Sequence, residues 1–337
     1  DTDRSRGLGD VYKRQAVDDL SFTIEKGRIY GFLGPNGAGK STTMNIMTGY
    51  IGATSGEVII NGHNILEEPE KAKKCIGYLP EIPPLYLDMT VSEYLHFAAE
   101  LKKISKTKRD EQVTKVMDLI KLDHMKDRLI RNLSKGYRQR TGLAAAILDF
   151  PDIIILDEPT VGLDPKQIIE IRELIRTLAK DHTVILSSHI LAEVQEICDD
   201  ILIISKGKLI AEGSPEELEE LTQGKETVEL TIQADKDSVS QILSGFSGID
   251  DISWIDVNES SCHIQINTNK DTQELCADLS LAFAQKKMPV TQIFVNKATL
   301  EDIFLELTED NPEEKSSKKS FKKTSKKLFK RKNGGEK

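Results

Sequence analysis

From residue 16 to about residue 214, short apolar runs alternate with stretches of helical period. Residues 28–33 read as a strand that enters a glycine-rich turn, and a helix starts near Lys40. Residues 57–60 form a second strand, closed by the Asn61-Gly62 turn signal. Helical spacing then holds over 91–101 and 111–120. Residues 153–156, 183–187 and 201–204 are continuous rather than alternating, the mark of strands buried on both faces of a mainly parallel sheet. The predicted fold class is therefore α/β.

Ser214-Pro215 opens a helix, and after Gly224 the period changes. Val228, Leu230 and Ile232 alternate with polar residues, and a helix carries Val239, Ile242, Leu243 and Phe246. Two alternating strands flank the turn at Asn258-Glu259-Ser260-Ser261, a helix holds Leu275, Leu279 and Phe283, and 290–295 is a strand. That β-α-β-β-α-β order predicts a small α+β, ferredoxin-like domain over 215–310, with a last helix at 300–307 packing back on the body. Residues 311–337 are Lys/Ser-rich and are expected to be disordered.

Charge sharpens this picture. The net charge of the 337 residues is −9, but 311–337 hold ten Lys and one Arg against three Glu, leaving −17 for the rest. An acidic body excludes general nucleic-acid binding. The tail, with Phe321, Leu328 and Phe329 on one helical face amid lysines, suits either an anionic membrane surface or plain solvent. No apolar run approaches the about 18–20 residues of a membrane helix, so a membrane activity needs another chain to span the bilayer. Cys75, Cys198, Cys262 and Cys276 are scattered without a CxxC pair, as in a reducing cytosol. Ser5 to Gln15 match, over eleven consecutive residues, a translated transposase-type sequencing adaptor. Residues 1–15 are therefore set aside, and the native first strand is expected to be missing.

The chemistry lies in the first 214 residues. Gly34-Pro35-Asn36-Gly37-Ala38-Gly39-Lys40-Ser41 fits G-x-x-x-x-G-K-[ST] between a strand and a helix. Glycines let successive backbone N–H groups turn inward around phosphates, and the helix adds its positive end. Lys40 is placed to neutralise β- and γ-phosphate charge, Ser41 to ligate Mg²⁺, and Thr42 to reach the α-phosphate. The run 153–156 leads into Asp157-Glu158-Pro159-Thr160, two acids at the carboxyl end of a buried strand, where open α/β sheets bind ligands. Asp157 is predicted to hold Mg²⁺ through water and Glu158 to polarise the attacking water. ATP and Mg²⁺ are thus the expected cofactors.

Leu133-Ser134-Lys135-Gly136-Tyr137-Arg138-Gln139-Arg140 resembles the signature sequence of ABC ATPases. Gly162-Leu163-Asp164 resembles their D-loop, and Ser187-Ser188-His189 the strand end that carries their switch histidine. The resemblance covers 16 to about 214. Segments 76–81, 133–140 and 300–307 narrow it to the ATPases of ABC-2-type exporters, with a gliding-motility-associated bacterial branch the nearest likeness.

This resemblance implies an ABC-type fold with a helical subdomain, and an ATPase of 16–214 that closes as a homodimer around two ATP molecules. It also implies a separate membrane permease docked on the helical stretch between Glu81 and Asn132, with Pro83, Pro84, Leu85 and Tyr86 as contacts. The protein would work on the cytoplasmic face of the cell membrane. Each site is composite: the phosphate loop, Asp157, Glu158 and His189 from one subunit, Ser134 and Gly136 from the other, with Asp164 setting water geometry across the interface. Glu81 stands where the family usually has Gln and is implied as a magnesium ligand, while Lys135 and Tyr137 replace the commoner Gly and Gln. Tyr12, near the place of the family's adenine-stacking aromatic, lies in the adaptor-like segment and is not assigned. A non-transport ABC ATPase acting in regulation or self-protection is the alternative function.

Overall fold

The computed structural model describes residues 15–220, 227–258, 260–268, 270–296 and 304, and the chain divides into two units after Pro215. The adaptor-like segment up to residue 14, all of 300–307 except Phe304, and the Lys-rich tail lie outside the described residues.

In the first unit, β1 (Ile29–Leu33) is buried along its whole length and leads to α1 (Lys40–Met47). A two-residue hairpin of β2 (Ile59–Ile60) and β3 (His63–Asn64) precedes α2 (Pro69–Lys74) and β4 (Ile76–Leu79). The 57–60 strand is thus only two residues long, because Glu57 and Val58 precede the pairing with β3.

Three helices follow: α3 (Val91–Leu101), α4 (Lys106–Leu119) and α5 (Lys135–Ile147), which pack on one another as a helical subdomain. Thr90 and Glu93 close a capping box at the start of α3, satisfying two backbone donors reciprocally. Helix α4 begins five residues earlier than its apolar spacing starts, since the first turn, Lys106-Thr107-Lys108-Arg109-Asp110, has no apolar position. Helix α5 escapes the amphipathic pattern altogether, because Gly136, Gln139–Ala144, Ala146 and Ile147 bury nearly its whole circumference.

The sheet resumes with β5 (Ile153–Leu156), α6 (Pro165–Leu178), β6 (Thr183–Ser188), α7 (Leu191–Ile197), β7 (Asp200–Ser205) and β8 (Lys208–Gly213). The six-stranded order is β4-β5-β6-β1-β7-β8, parallel except for the antiparallel edge strand β8. Phe32, Leu33, Met44, Ile154, Ile155, Val184 and Ile201–Ile204 are buried around it, as expected of a sheet covered on both faces. Parallel register carries a functional consequence. The carboxyl ends of β1, β4, β5 and β6 all open on one edge, with Leu33 opposite Ser188, Leu79 opposite Leu156, and Leu156 opposite Leu186.

Helix α8 (Pro215–Glu220) begins at the division. The second unit then runs β9 (Thr227–Ile232), α9 (Lys236–Leu243), β10 (Ile249–Val257), β11 (Cys262–Thr268), α10 (Thr272–Gln285) and β12 (Val290–Asn296). Its four-stranded sheet, β10-β11-β9-β12, is antiparallel throughout, the split arrangement of the ferredoxin-like fold. Val228, Leu230, Ile232, Ile264 and Ile266 pack against Val239, Leu243, Leu279 and Phe283 from the helices. Phe246 lies beyond the end of α9, yet packs against the same core. No helix among the described residues is long and apolar enough to cross a membrane.

Candidate functional site

The phosphate loop bends back from β1 into α1. Gly39, the residue before α1, has φ +106°, a left-handed conformation that glycine adopts without steric cost, and a Cβ there would stand 2.5 Å from the Ala16 carbonyl oxygen. The Lys40 ammonium is only 6% exposed; it donates to the Gly34 carbonyl at 2.8 Å and lies 3.4 Å from Glu158 Oε1. The positive group is therefore already seated over the loop. Ser41 Oγ donates to Asp157 Oδ1 at 3.2 Å, which joins the start of α1 to the end of β5.

Asp157 and Glu158 follow β5 directly, and both are buried. Glu158 has φ +49°, a left-handed backbone that costs a non-glycine residue about 1–2 kcal/mol. Ser187 on β6 holds this turn: its hydroxyl donates to Asp157 Oδ1 at 2.6 Å and accepts from the Glu158 amide at 2.9 Å. His189 Nδ1 is 2.9 Å from Glu158 Oε2, with the imidazole partly exposed. Behind these groups, Glu193 on α7 accepts from Thr160 and Ser188. Tyr78 on β4 donates to Asn45 at 3.2 Å, and burial, followed by the nearby Asp157 charge, pushes its hydroxyl up to about 12.

The fold thus brings Gly34–Ser41, Asp157, Glu158 and His189 together. Glu81 is exposed two residues beyond β4, the strand beside β5. A cation can be tested against these donors. Ser41 and Asp157 supply oxygen ligands 3.2 Å apart, a donor set that suits a hard divalent ion such as Mg²⁺.

Ser134, Gly136 and Asp164 lie at the starts of α5 and α6. Ser134 caps α5, accepting from the Tyr137 amide, and Asp164 caps α6, accepting from the Gln167 amide at 2.9 Å. The two helix starts touch: a Cβ on Gly136 would meet Gln167 Oε1 at 2.6 Å, and the Lys135 side chain lies against Gly162. A larger residue at 136 would have to displace the Gln167 amide.

The sequence motifs contain the phosphate-side residues. The roles of Ser187, Thr160 and Glu193 emerge only when β5 and β6 are side by side. The Ser187-Ser188 pair ahead of His189 was the available sign, since two hydroxyls at a buried strand end require partners.

The ABC transporter family pattern matches residues 17–161. The bacitracin transport ATP-binding protein BcrA of Bacillus licheniformis is 33% identical over 87% of this chain and 92% of its own length. The chain belongs to the ABC transporter ATP-binding subunits. The linearmycin resistance ATP-binding protein LnrL of Bacillus subtilis is 31% identical over 88% of this chain and 94% of its own length. Among solved structures, a dimeric ATP-binding cassette in a post-hydrolysis state with ADP and Pi is 25% identical, with a TM-score of 0.54, over 59% of this chain and 90% of that one. As an ABC ATP-binding subunit, the chain is an ATPase, and subunits of this family dimerise and pair with membrane permeases.

Proposed function

We propose that this ABC subunit powers an ABC-2-type exporter, of the gliding-motility-associated-like branch, by closing as a homodimer around two ATP molecules beneath a separate permease. The observation that carries this reading is the division of the site. Lys40, Ser41, Asp157, Glu158 and His189 converge on one sheet edge, while Ser134 and Gly136 lie beside α6 in the same chain. A second copy supplies the missing signature side.

In this reading, the amides of 34–41 and Lys40 grip the phosphates, with Thr42 at the α-phosphate. Glu158 polarises the attacking water, and His189 contacts the γ-phosphate. Across the boundary come Ser134 and Gly136, with Asp164 setting water geometry. Ser41, Asp157 and Glu81 would hold Mg²⁺, which when bound neutralises phosphate charge. The protein's share of the catalysis is positioning plus electrostatic stabilisation of charge spread over the transferred group.

Permease docking falls to the stretch between Glu81 and Asn132, where Ile82 and Tyr86, ahead of α3, are 81% and 56% exposed and Leu87 stands beside them. Such exposed apolar groups are suited to a partner surface. The relatives named for bacitracin transport and linearmycin resistance favour a drug-like cargo. Work at the cytoplasmic membrane face, with the 311–337 lysines on anionic lipid, completes the proposal. Deleting 311–337 should reduce pelleting with anionic vesicles, and equal pelleting removes the tail contact.

The decisive experiment is E158Q. It should abolish turnover yet elute as an ATP-dependent dimer in gel filtration. Normal hydrolysis by E158Q, or a monomer at saturating MgATP, overturns the reading.

A further inference from the structure

Glu193 lies on α7, outside every ABC motif described above, and is only 5% exposed. A carboxyl group buried that deeply needs hydrogen-bonding partners. Its Oε2 has two: Thr160 Oγ1 donates at 2.7 Å and Ser188 Oγ at 3.1 Å. Both hydroxyl-bearing residues are themselves buried. Thr160 stands two residues after Glu158, and Ser188 immediately precedes His189. One oxygen therefore joins the segment that carries the proposed water-polarising acid to the segment that carries the proposed γ-phosphate histidine.

The geometry reaches further than a brace. The Ser188 hydroxyl also accepts from the Ile190 amide at 3.0 Å. Because the Ser188 O–H donates to Glu193, a lone pair of Oγ is left to accept from that N–H. His189 is thus framed on both sides, by the Ser188 side chain before it and the Ile190 amide after it. The front of the same loop is closed by the 2.9 Å contact between His189 Nδ1 and Glu158 Oε2. We infer that Glu193 is a positioning residue of the ATPase reaction: its carboxyl group sets the spacing between Glu158 and His189 while touching no substrate.

This inference rests on the roles proposed for Glu158 and His189, and its test separates the two. Steady-state ATP turnover is compared for wild type, E193A, E193Q, T160V, H189A and the E193A/H189A pair, with melting temperatures alongside. E193A should lower kcat by about ten- to hundredfold, as expected when a reacting group is misplaced by about an ångström. KM for ATP should stay within about twofold, because the phosphate loop is untouched. E193Q keeps an acceptor oxygen for both hydroxyls and should recover most of the lost kcat. T160V keeps the volume and removes one arm, so its loss should be intermediate. On the H189A background, E193A should cost less than about threefold more, since the two residues act as one unit.

A purely structural Glu193 would lower the melting temperature without moving kcat per folded molecule, and that result overturns the inference. So does E193Q failing as badly as E193A, or a fully multiplicative E193A/H189A pair. A full-rate H189A overturns the underlying assignment of His189. A dead H189A beside a full-rate E193A overturns the tether alone.

Discussion

At the residue scale, the site depends on buried polar groups that satisfy one another. Lys40 is held by the Gly34 carbonyl and lies 3.4 Å from Glu158. K40A removes the positive charge aimed at the phosphates, so turnover should fall by at least about a hundredfold, with weakened nucleotide binding seen by fluorescence titration. Ser187 is a subtler case. S187A deletes a donor to Asp157 and leaves the Glu158 amide without its acceptor in a buried place. Unfolding in urea should show a loss of about 1–3 kcal/mol. Turnover should fall as well, because the left-handed turn at Glu158 loses its support. An S187A protein with wild-type stability and rate would show that this support is dispensable.

At the scale of elements, the carboxyl end of α5 carries a device of its own. Leu148 ends the helix, Asp149 and Phe150 turn with φ of +72° and +49°, and Lys102, at the end of α3, donates to the Ala146 and Leu148 carbonyls at 2.7 Å each. A cation on the last carbonyls of a helix meets its negative end. Burial nevertheless opposes the charge and pushes the Lys102 amine from its ordinary 10.5 down to about 8, the nearby Asp149 offsetting this only in part. Between about 8 and 10.5 the unfolded chain binds more protons at this residue than the folded one, so its contribution to stability rises with pH across that window and is lost as pH falls towards 8. The urea midpoint of wild type, measured against that of K102M, should gain over this range. Parallel pH profiles for the two proteins would contradict it.

For the whole molecule, the question is whether one chain contains one complete site. Ser134 and Gly136 sit with Gln167 and Gly162 at the joined starts of α5 and α6, whereas Lys40, Ser41, Asp157, Glu158 and His189 are linked to one another. Mixing two inactive variants tests the shared site. In a heterodimer of K40A with S134R, one site carries both lesions and the other carries neither. Turnover of the mixture should exceed the sum of the separate proteins. A mixture no better than its parts would argue that the signature serves its own chain's nucleotide.

Much of this is legible in the sequence, where the cause is local. The Gly34–Ser41 turn is set by a backbone requirement carried on consecutive residues, and the buried strands β5, β6 and β7 announce themselves as apolar residues that follow one another without alternation. The order of the second unit was visible in the alternation of Val228, Leu230 and Ile232 and in the helical spacing between its strands. Helix α5 and the first turn of α4 were not, because a helix buried all round and a helix turn wholly in solvent both lack an amphipathic stripe. Residue type and spacing by themselves determined which groups this chain could offer to a phosphate. Tertiary structure decided which of them meet, since Ser187, Thr160 and Glu193 acquire partners 29 to 33 residues away only when parallel pairing sets β5 against β6 and α7 behind them.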